Sequence, residues 1–132
     1  MAYSAKKVSV IINGIYMTDF RDGNIYDYEE TQDKFVEYKG VDGKIDYSKN
    51  LGSPCQITLG FKHTSPSLKV LNQFYENDTP LDVTVKDANV EGGKTISGNN
   101  GIMMRRPNDS RGKEFSENEV VIMLPNHSVK YD

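Results

Sequence analysis

Residues 27–44 constrain this chain more than any other stretch: Asp27-Tyr28-Glu29-Glu30-Thr31-Gln32-Asp33-Lys34-Phe35-Val36-Glu37-Tyr38-Lys39-Gly40-Val41-Asp42-Gly43-Lys44. Five carboxylates and one lysine fall between Asp27 and Glu37, yet Tyr26, Tyr28, Phe35 and Tyr38 are interleaved with them in strand-like alternation. Successive side chains on a strand point to opposite faces, so the ribbon has one face that wants cover and one that stays wet and negative. It ends in a glycine-bracketed turn, Gly40 to Gly43. A strand pair this charged is a poor core for a lone small domain. It makes sense as the wall of something larger.

Composition points the same way. The 132 residues form one domain, 1–132. Apolar residues make up 36% with tyrosine counted and glycine left out. With glycine in and tyrosine out the share is about 39%, below the usual globular range. A thin core suits a subunit whose burial partner chains complete, and a soluble monomer stays open as the alternative. A net charge of −3 and a pI near 5.4 argue against binding nucleic acid by neutralising phosphates. No apolar run approaches the roughly 20 residues of a membrane span. The first seven residues carry no hydrophobic signal region, so the chain is expected to stay in the compartment where it is made. A single cysteine, Cys55, excludes an internal disulfide.

The chain reads as strands at 7–12, 15–20, 25–31, 35–40 and 55–62, with Asn13-Gly14 supplying the positive φ of a tight hairpin turn. Residues 21–24 read as a second turn and 43–54, rich in Gly, Ser, Asn and Lys, as an exposed loop. One helix stands out. Ser65 is a good N-cap and Pro66 fits the first helical position, where its missing N–H costs nothing. Leu68, Leu71 and Tyr75 form a stripe with Phe74 beside it, and Asn77-Asp78-Thr79-Pro80 ends it. Strands follow from Leu81 through Lys86, at 101–106 and at 119–124, with a short 94–96 segment and a polar loop at 107–117 between them. The fold class is all-β with one short helix, a small barrel or sandwich.

The local motifs carry no chemistry. Gly92-Gly93-Lys94-Thr95 looks like the tail of a phosphate loop, but the required upstream glycine is Ala88 and no helix follows. Asp22-Gly23-Asn24 with Asp27 lacks the remaining oxygen ligands of a calcium loop. His63 and His127 stand far apart, and with one cysteine a zinc site has no ligand set. Cys55 alternates into the apolar face of its strand and reads as a buried structural thiol. Glu29 and Glu30, adjacent on a strand, face opposite ways and do not form a catalytic pair. No metal, cofactor or enzymatic activity is expected. The basic cluster Arg105, Arg106, Arg111 and Lys113 is suited to carboxylates of a neighbouring copy.

Spaced features from Glu30 to Leu124 resemble the tail tube proteins of contractile-tailed bacteriophages. They are, in order, Glu30-Thr31-Gln32-Asp33-Lys34, Gly40-Val41-Asp42-Gly43, Ser53 with Thr58-Leu59, the helix opened by Thr64-Ser65-Pro66-Ser67, Pro80-Leu81 leading to Asp87, and Asn100-Gly101-Ile102 ahead of Pro107. The last strand departs from the pattern, with Glu119-Val120-Val121-Ile122 where that family commonly has an aromatic.

The resemblance implies a homo-hexameric ring whose sheets join edge to edge into an inner barrel. Such rings stack into a tube inside a tail sheath, between baseplate and tape-measure proteins, and genomic DNA passes through the lumen without specific binding. It places the protein in the virion tail, assembled in the host bacterial cytoplasm. On this reading Asp27, Glu29, Asp33 and Glu37 are lumen candidates that repel phosphate. The loop that joins rings spans about residues 40–54, with Asp42, Lys44, Tyr47 and Leu51 as its contacts, and Arg105, Arg106, Arg111 and Lys113 bind between subunits. Two alternatives remain open from sequence: a baseplate tube initiator or secretion tube with the same fold, and a monomeric glycan-binding sandwich using Tyr26, Tyr28 and Tyr38.

Overall fold

The computed structural model describes residues 8–21, 25–62, 64–89, 93–111 and 116–131. Along the chain run β1 (Val8–Ile12), β2 (Ile15–Tyr16), β3 (Tyr26–Glu30), β4 (Phe35–Lys39), β5 (Ile45–Lys49), β6 (Cys55–Lys62), α1 (Pro66–Glu76), β7 (Leu81–Asp87), β8 (Lys94–Met103), β9 (Asn108–Arg111), β10 (Ser116–Leu124) and β11 (Asn126–Tyr131). Strict alternation builds the core. Val8, Val10 and Ile12 of β1 and Leu81, Val83 and Val85 of β7 turn inward on one layer, in the antiparallel order β2-β1-β7-β8-β11. Cys55, Ile57, Leu59 and Phe61 of β6 and Val120, Ile122 and Leu124 of β10 turn inward on the other, where β6 lies between β3 and β10. All of these but Val8 meet in one apolar cluster. Each such side chain contributes about 1.5–3 kcal/mol by leaving water.

Strand β8 connects the layers. Its first part pairs with β7 and β11, and Ile102 and Met103 pair with β10. The change of partner needs Asn100 at φ 56° and a glycine after it. A Cβ at Gly101 would stand 2.6 Å from Leu124 Cδ2 and 3.1 Å from the Leu81 carbonyl oxygen.

The helix forms where its caps place it. Ser65 Oγ accepts from the Ser67 amide at 3.2 Å and donates to the Thr18 carbonyl at 2.6 Å, while Ser67 Oγ accepts from the Thr18 amide at 2.9 Å. Leu71 is fully buried, and Leu68, Phe74 and Tyr75 pack against the core. Replacing Ser65 with alanine removes a cap and a bridge to the 17–19 segment. The expected loss is about 1–2 kcal/mol, read as a lower urea midpoint; an unchanged midpoint would show both bonds to be idle.

The expected strands at 7–12, 25–31, 35–40, 55–62 and from Leu81 are present, within a residue or so at their ends. Five expectations are corrected. The strand at 15–20 stops at Tyr16, because Asp19 takes φ 58° and Thr18 bonds to the helix start; only Phe20 returns, in an isolated bridge to Phe61. The acidic strands do not pair with each other: β3 joins β6, and β4 joins β5. The 43–54 loop contains β5. The 94–96 segment and the start of the 101–106 strand are one strand, β8, which ends at Met103. The polar loop expected at 107–117 supplies β9 and the start of β10, and β11 follows where no element was expected. The 21–24 turn, His63 and the glycine pair beginning at Gly92 fall wholly or partly outside the described residues.

Candidate functional site

The most unusual surface is the hairpin β4–β5. Its register, Phe35↔Lys49, Glu37↔Tyr47 and Lys39↔Ile45, puts Phe35, Ile45 and Tyr47 on one face. Val36 and Tyr38 share the other face with Asp46 and Ser48. Every residue of both strands is exposed. Phe35 is 53% and Tyr47 68% accessible, and Val41 and Leu51 are fully so. The turn is well made: Gly43 sits at φ 84° and its amide donates to the Gly40 carbonyl at 3.0 Å, while Asp42 Oδ1 accepts from the Lys44 amide at 3.1 Å. From Asp33 to Lys49 there are four acidic residues and four lysines, so the element carries no net charge. A two-stranded ribbon is marginal in water by itself. Apolar groups stand uncovered on both of its faces.

The legs of the hairpin are tied at its root. Asn50 donates to the Lys34 carbonyl through its amide, at 2.8 Å, and to the Asp33 carbonyl through Nδ2, at 2.5 Å. The Thr31 amide donates to the Pro54 carbonyl at 3.3 Å, and the Ser53 amide to Asn126 Oδ1 at 3.2 Å.

A second surface is the outer face of the layer that ends at β3. Asp27 lies opposite Thr58 and Glu29 opposite Gln56, with Val121 and Met123 next across the sheet and Ile102 beyond Met123. Arg21 spans this face. Its guanidinium binds Glu119 at 2.7 Å and approaches Asp27 at 4.0 Å. It lies so close over Gly60 that any Cβ there would displace it. On the same face Arg105 and Arg106 line a shallow groove of about 380 Å³ with Gln56, Met104, Glu119 and Met123. Arg106 pairs with Glu76 of α1 and sits 5.3 Å from the Tyr75 ring. Exposed Ile102 and Met104 adjoin the same region.

Of the four acidic lumen candidates, the structure groups Asp27 and Glu29 on one sheet face. Asp33 lies at the hairpin root and Glu37 on the hairpin itself, facing Tyr47. Tyr47 is on the hairpin, Asp42 and Lys44 form its turn, and Leu51 is beside its second leg. Arg105 and Arg106 are neighbours in the groove; the Arg111 side chain and Lys113 lie outside the described residues. Cys55 is buried, as its alternation implies, and burial together with Glu30 pushes its thiol up to about 11. Since the thiolate is the reactive form, this cysteine is inert at neutral pH. Sequence reasoning missed Asn126 and His127 of β11. The one signal was the weak alternation His127, Val129, Tyr131 against Asn126, Ser128, Lys130. Among the described residues no group of three or more His, Cys, Asp or Glu side chains is placed to hold a metal ion.

No protein-family model matches the chain, and no curated protein does. Solved structures do. A chain of the anti-feeding prophage cap, the AFP tube terminating cap, aligns over 100% of this chain and 93% of its own at TM-score 0.68 and 11% identity. A chain of the sheath-tube complex of an extracellular contractile injection system, PVC, in its extended state aligns over 99% and 93% at TM-score 0.69 and 12% identity. Hcp1 from Flavobacterium johnsoniae aligns over 92% and 93% at TM-score 0.55 and 12% identity. The chain therefore has the fold of chains in a tube-terminating cap and a sheath-tube complex, and its all-β class with one short helix is the class that the sequence implied.

Proposed function

We propose that this chain is a tube subunit of a contractile tail or injection particle, a structural protein that works by self-assembly. The observation that carries the reading is the hairpin β4–β5, apolar on both faces and uncovered by its own subunit. Identical copies stacked along an axis supply that cover. The fold shared with chains of sheath-tube and tube-cap assemblies, over nearly the full length of both partners, supports it.

Within a ring of six copies, contacts run head to tail, so each copy offers two different surfaces to its neighbours. The outer face of the β3 layer carries both signs of charge, Asp27 and Glu29 along β3 and Arg105 and Arg106 in the groove beside Glu119. Arg105 and Arg106 of one copy then meet carboxylates of the next, and the uncovered edge of β3 gains a partner strand, leaving Asp27 and Glu29 as lumen candidates. Carboxylates left on the channel wall repel a polyanion, so DNA slides without sticking. A sheath surrounds the tube, and a baseplate and tape-measure protein set its start and length.

Negative-stain microscopy of the purified chain tests this. Rings and hollow rods are the expected result; a monomer at every concentration would sink the proposal. A second reading, a piece that begins or ends the tube, is favoured by the likeness to a tube-terminating cap. It predicts single rings that never extend into rods.

A further inference from the structure

A cluster of titratable side chains lies at the root of the hairpin, away from the surfaces above. His127 Nδ1 is 2.6 Å from the Ser53 carbonyl oxygen, and Nε2 is 2.5 Å from Tyr28 Oη. Glu30 Oε1 stands 3.3 Å from that hydroxyl and 3.7 Å from Nε2. The imidazole is 3% exposed and the carboxylate 59%.

Counting protons shows what this arrangement does. A carbonyl oxygen only accepts, so Nδ1 carries hydrogen in either state of the ring. In the neutral ring, the Nε2 lone pair takes the single proton of the Tyr28 hydroxyl. The Glu30 carboxylate then faces an oxygen with no proton to offer. When the ring gains a proton, Nε2–H donates to Tyr28, the phenol proton turns to Glu30, and the cation stands beside the carboxylate. One added proton converts two hydrogen bonds into three plus an ion pair, and charge-assisted bonds are the stronger kind.

We infer that His127 is a proton-gated latch that holds the docking hairpin in a fixed attitude on the body of the subunit. Its neighbour Asn126 accepts from the Ser53 amide, so two consecutive residues of β11 grip both backbone polar groups of Ser53. Ser53 leads from the second leg of the hairpin into β6. The first leg leaves β3 directly after Tyr28 and Glu30. Tightening this network therefore fixes both legs together.

The surrounding charges permit the switch. Burial and Glu30 push Tyr28 up to about 12, so it stays a neutral relay. The Cys55 thiol of β6 is likewise neutral, raised to about 11. Lys94 of β8 lies 5.6 Å from the Tyr28 ring and 5.7 Å from the ring of Tyr131, which is also on β11. Its charge opposes a second cation, but buried Asp87 lies across from it on β7. Glu30 is the carboxylate that touches the relay. Because Glu30 is half in water, the gain is modest, about fivefold.

The latch rests on the proposed docking role only for its use in assembly. It is tested on the full chain, diluted until unassembled, by hydrogen exchange at the Ser53 and Thr31 amides at pH 5.5 and 8. Each rate is divided by the intrinsic rate at that pH. Protection is expected to be about fivefold higher at pH 5.5 than at pH 8. His127→Gln should abolish the dependence, and Glu30→Gln, at a half-exposed site that tolerates the change, should cut it below about twofold. Equal protection at the two pH values, or an undiminished rise in Glu30→Gln, would overturn the latch. The readout comes from the subunit alone, so it decides the latch whether or not rods form.

Discussion

Excising residues 35–49 and joining Lys34 to Asn50 through a short Gly-Ser turn should leave the subunit folded and abolish rods. The ends already meet, because the Asn50 amide donates to the Lys34 carbonyl at 2.8 Å. Every residue of the two strands is exposed, so the core loses nothing. A stability change under about 1 kcal/mol moves the melting temperature by only a few degrees. Assembly is another matter. Phe35, Tyr38 and Tyr47 each offer 150–250 Å² of surface. Covering about half of that, at about 25 cal/mol per Å², is worth roughly 2 kcal/mol for each aromatic before association costs. The contacts repeat around the ring, so their loss multiplies. The milder pair Phe35→Ser with Tyr47→Ser should raise the concentration needed for rods by tenfold or more. Rods of normal length from the excised chain, seen by microscopy, would remove the hairpin from the proposed interface.

The second large effect is on the fold itself. Phe61 is fully buried and stacks on Phe20, with ring centres 5.0 Å apart and planes 21° from parallel. It also forms a bridge with Phe20 where the chain returns from the helix start to the β3 layer. Phe61→Ala should cost about 3–5 kcal/mol, combining lost transfer energy with an unfilled cavity. Total stabilities lie near 5–15 kcal/mol, so the variant should be close to unfolding at room temperature. At a urea slope of about 1–3 kcal/mol per molar, the midpoint falls by roughly 2 M. A loss under about 1 kcal/mol would mean that Phe20 and its neighbours collapse into the space and that the packing is not specific there.

Much of the body was legible in the sequence because its strands are buried on one side only. At Val8, Val10, Ile12 and at Leu81, Val83, Val85, apolar and polar residues alternate, and the period of two reports both strand and face. The helix was legible from Ser65, Pro66 and the spacing of Leu68, Leu71 and Tyr75. β5, β9 and β11 were not. They are polar, and β5 has both sides in water, so there is no inward face to write a period into the sequence. The same cause hid the hairpin, where Tyr47 reads as one aromatic in a polar loop until its register with Glu37 is known.

From the sequence by itself came the class of fold, the acidic β3 ribbon, the buried thiol of Cys55, and the resemblance to tube proteins. These depend on local alternation, capping and order along the chain. Only the tertiary structure decided that β3 and β4 part company, that β4 folds back on β5 as an uncovered ribbon, and that Asn126 and His127 reach across to grip Ser53. Such pairings join residues as many as 74 positions apart. Their energies come from groups that meet only after the chain has closed on its core, and no local pattern records them.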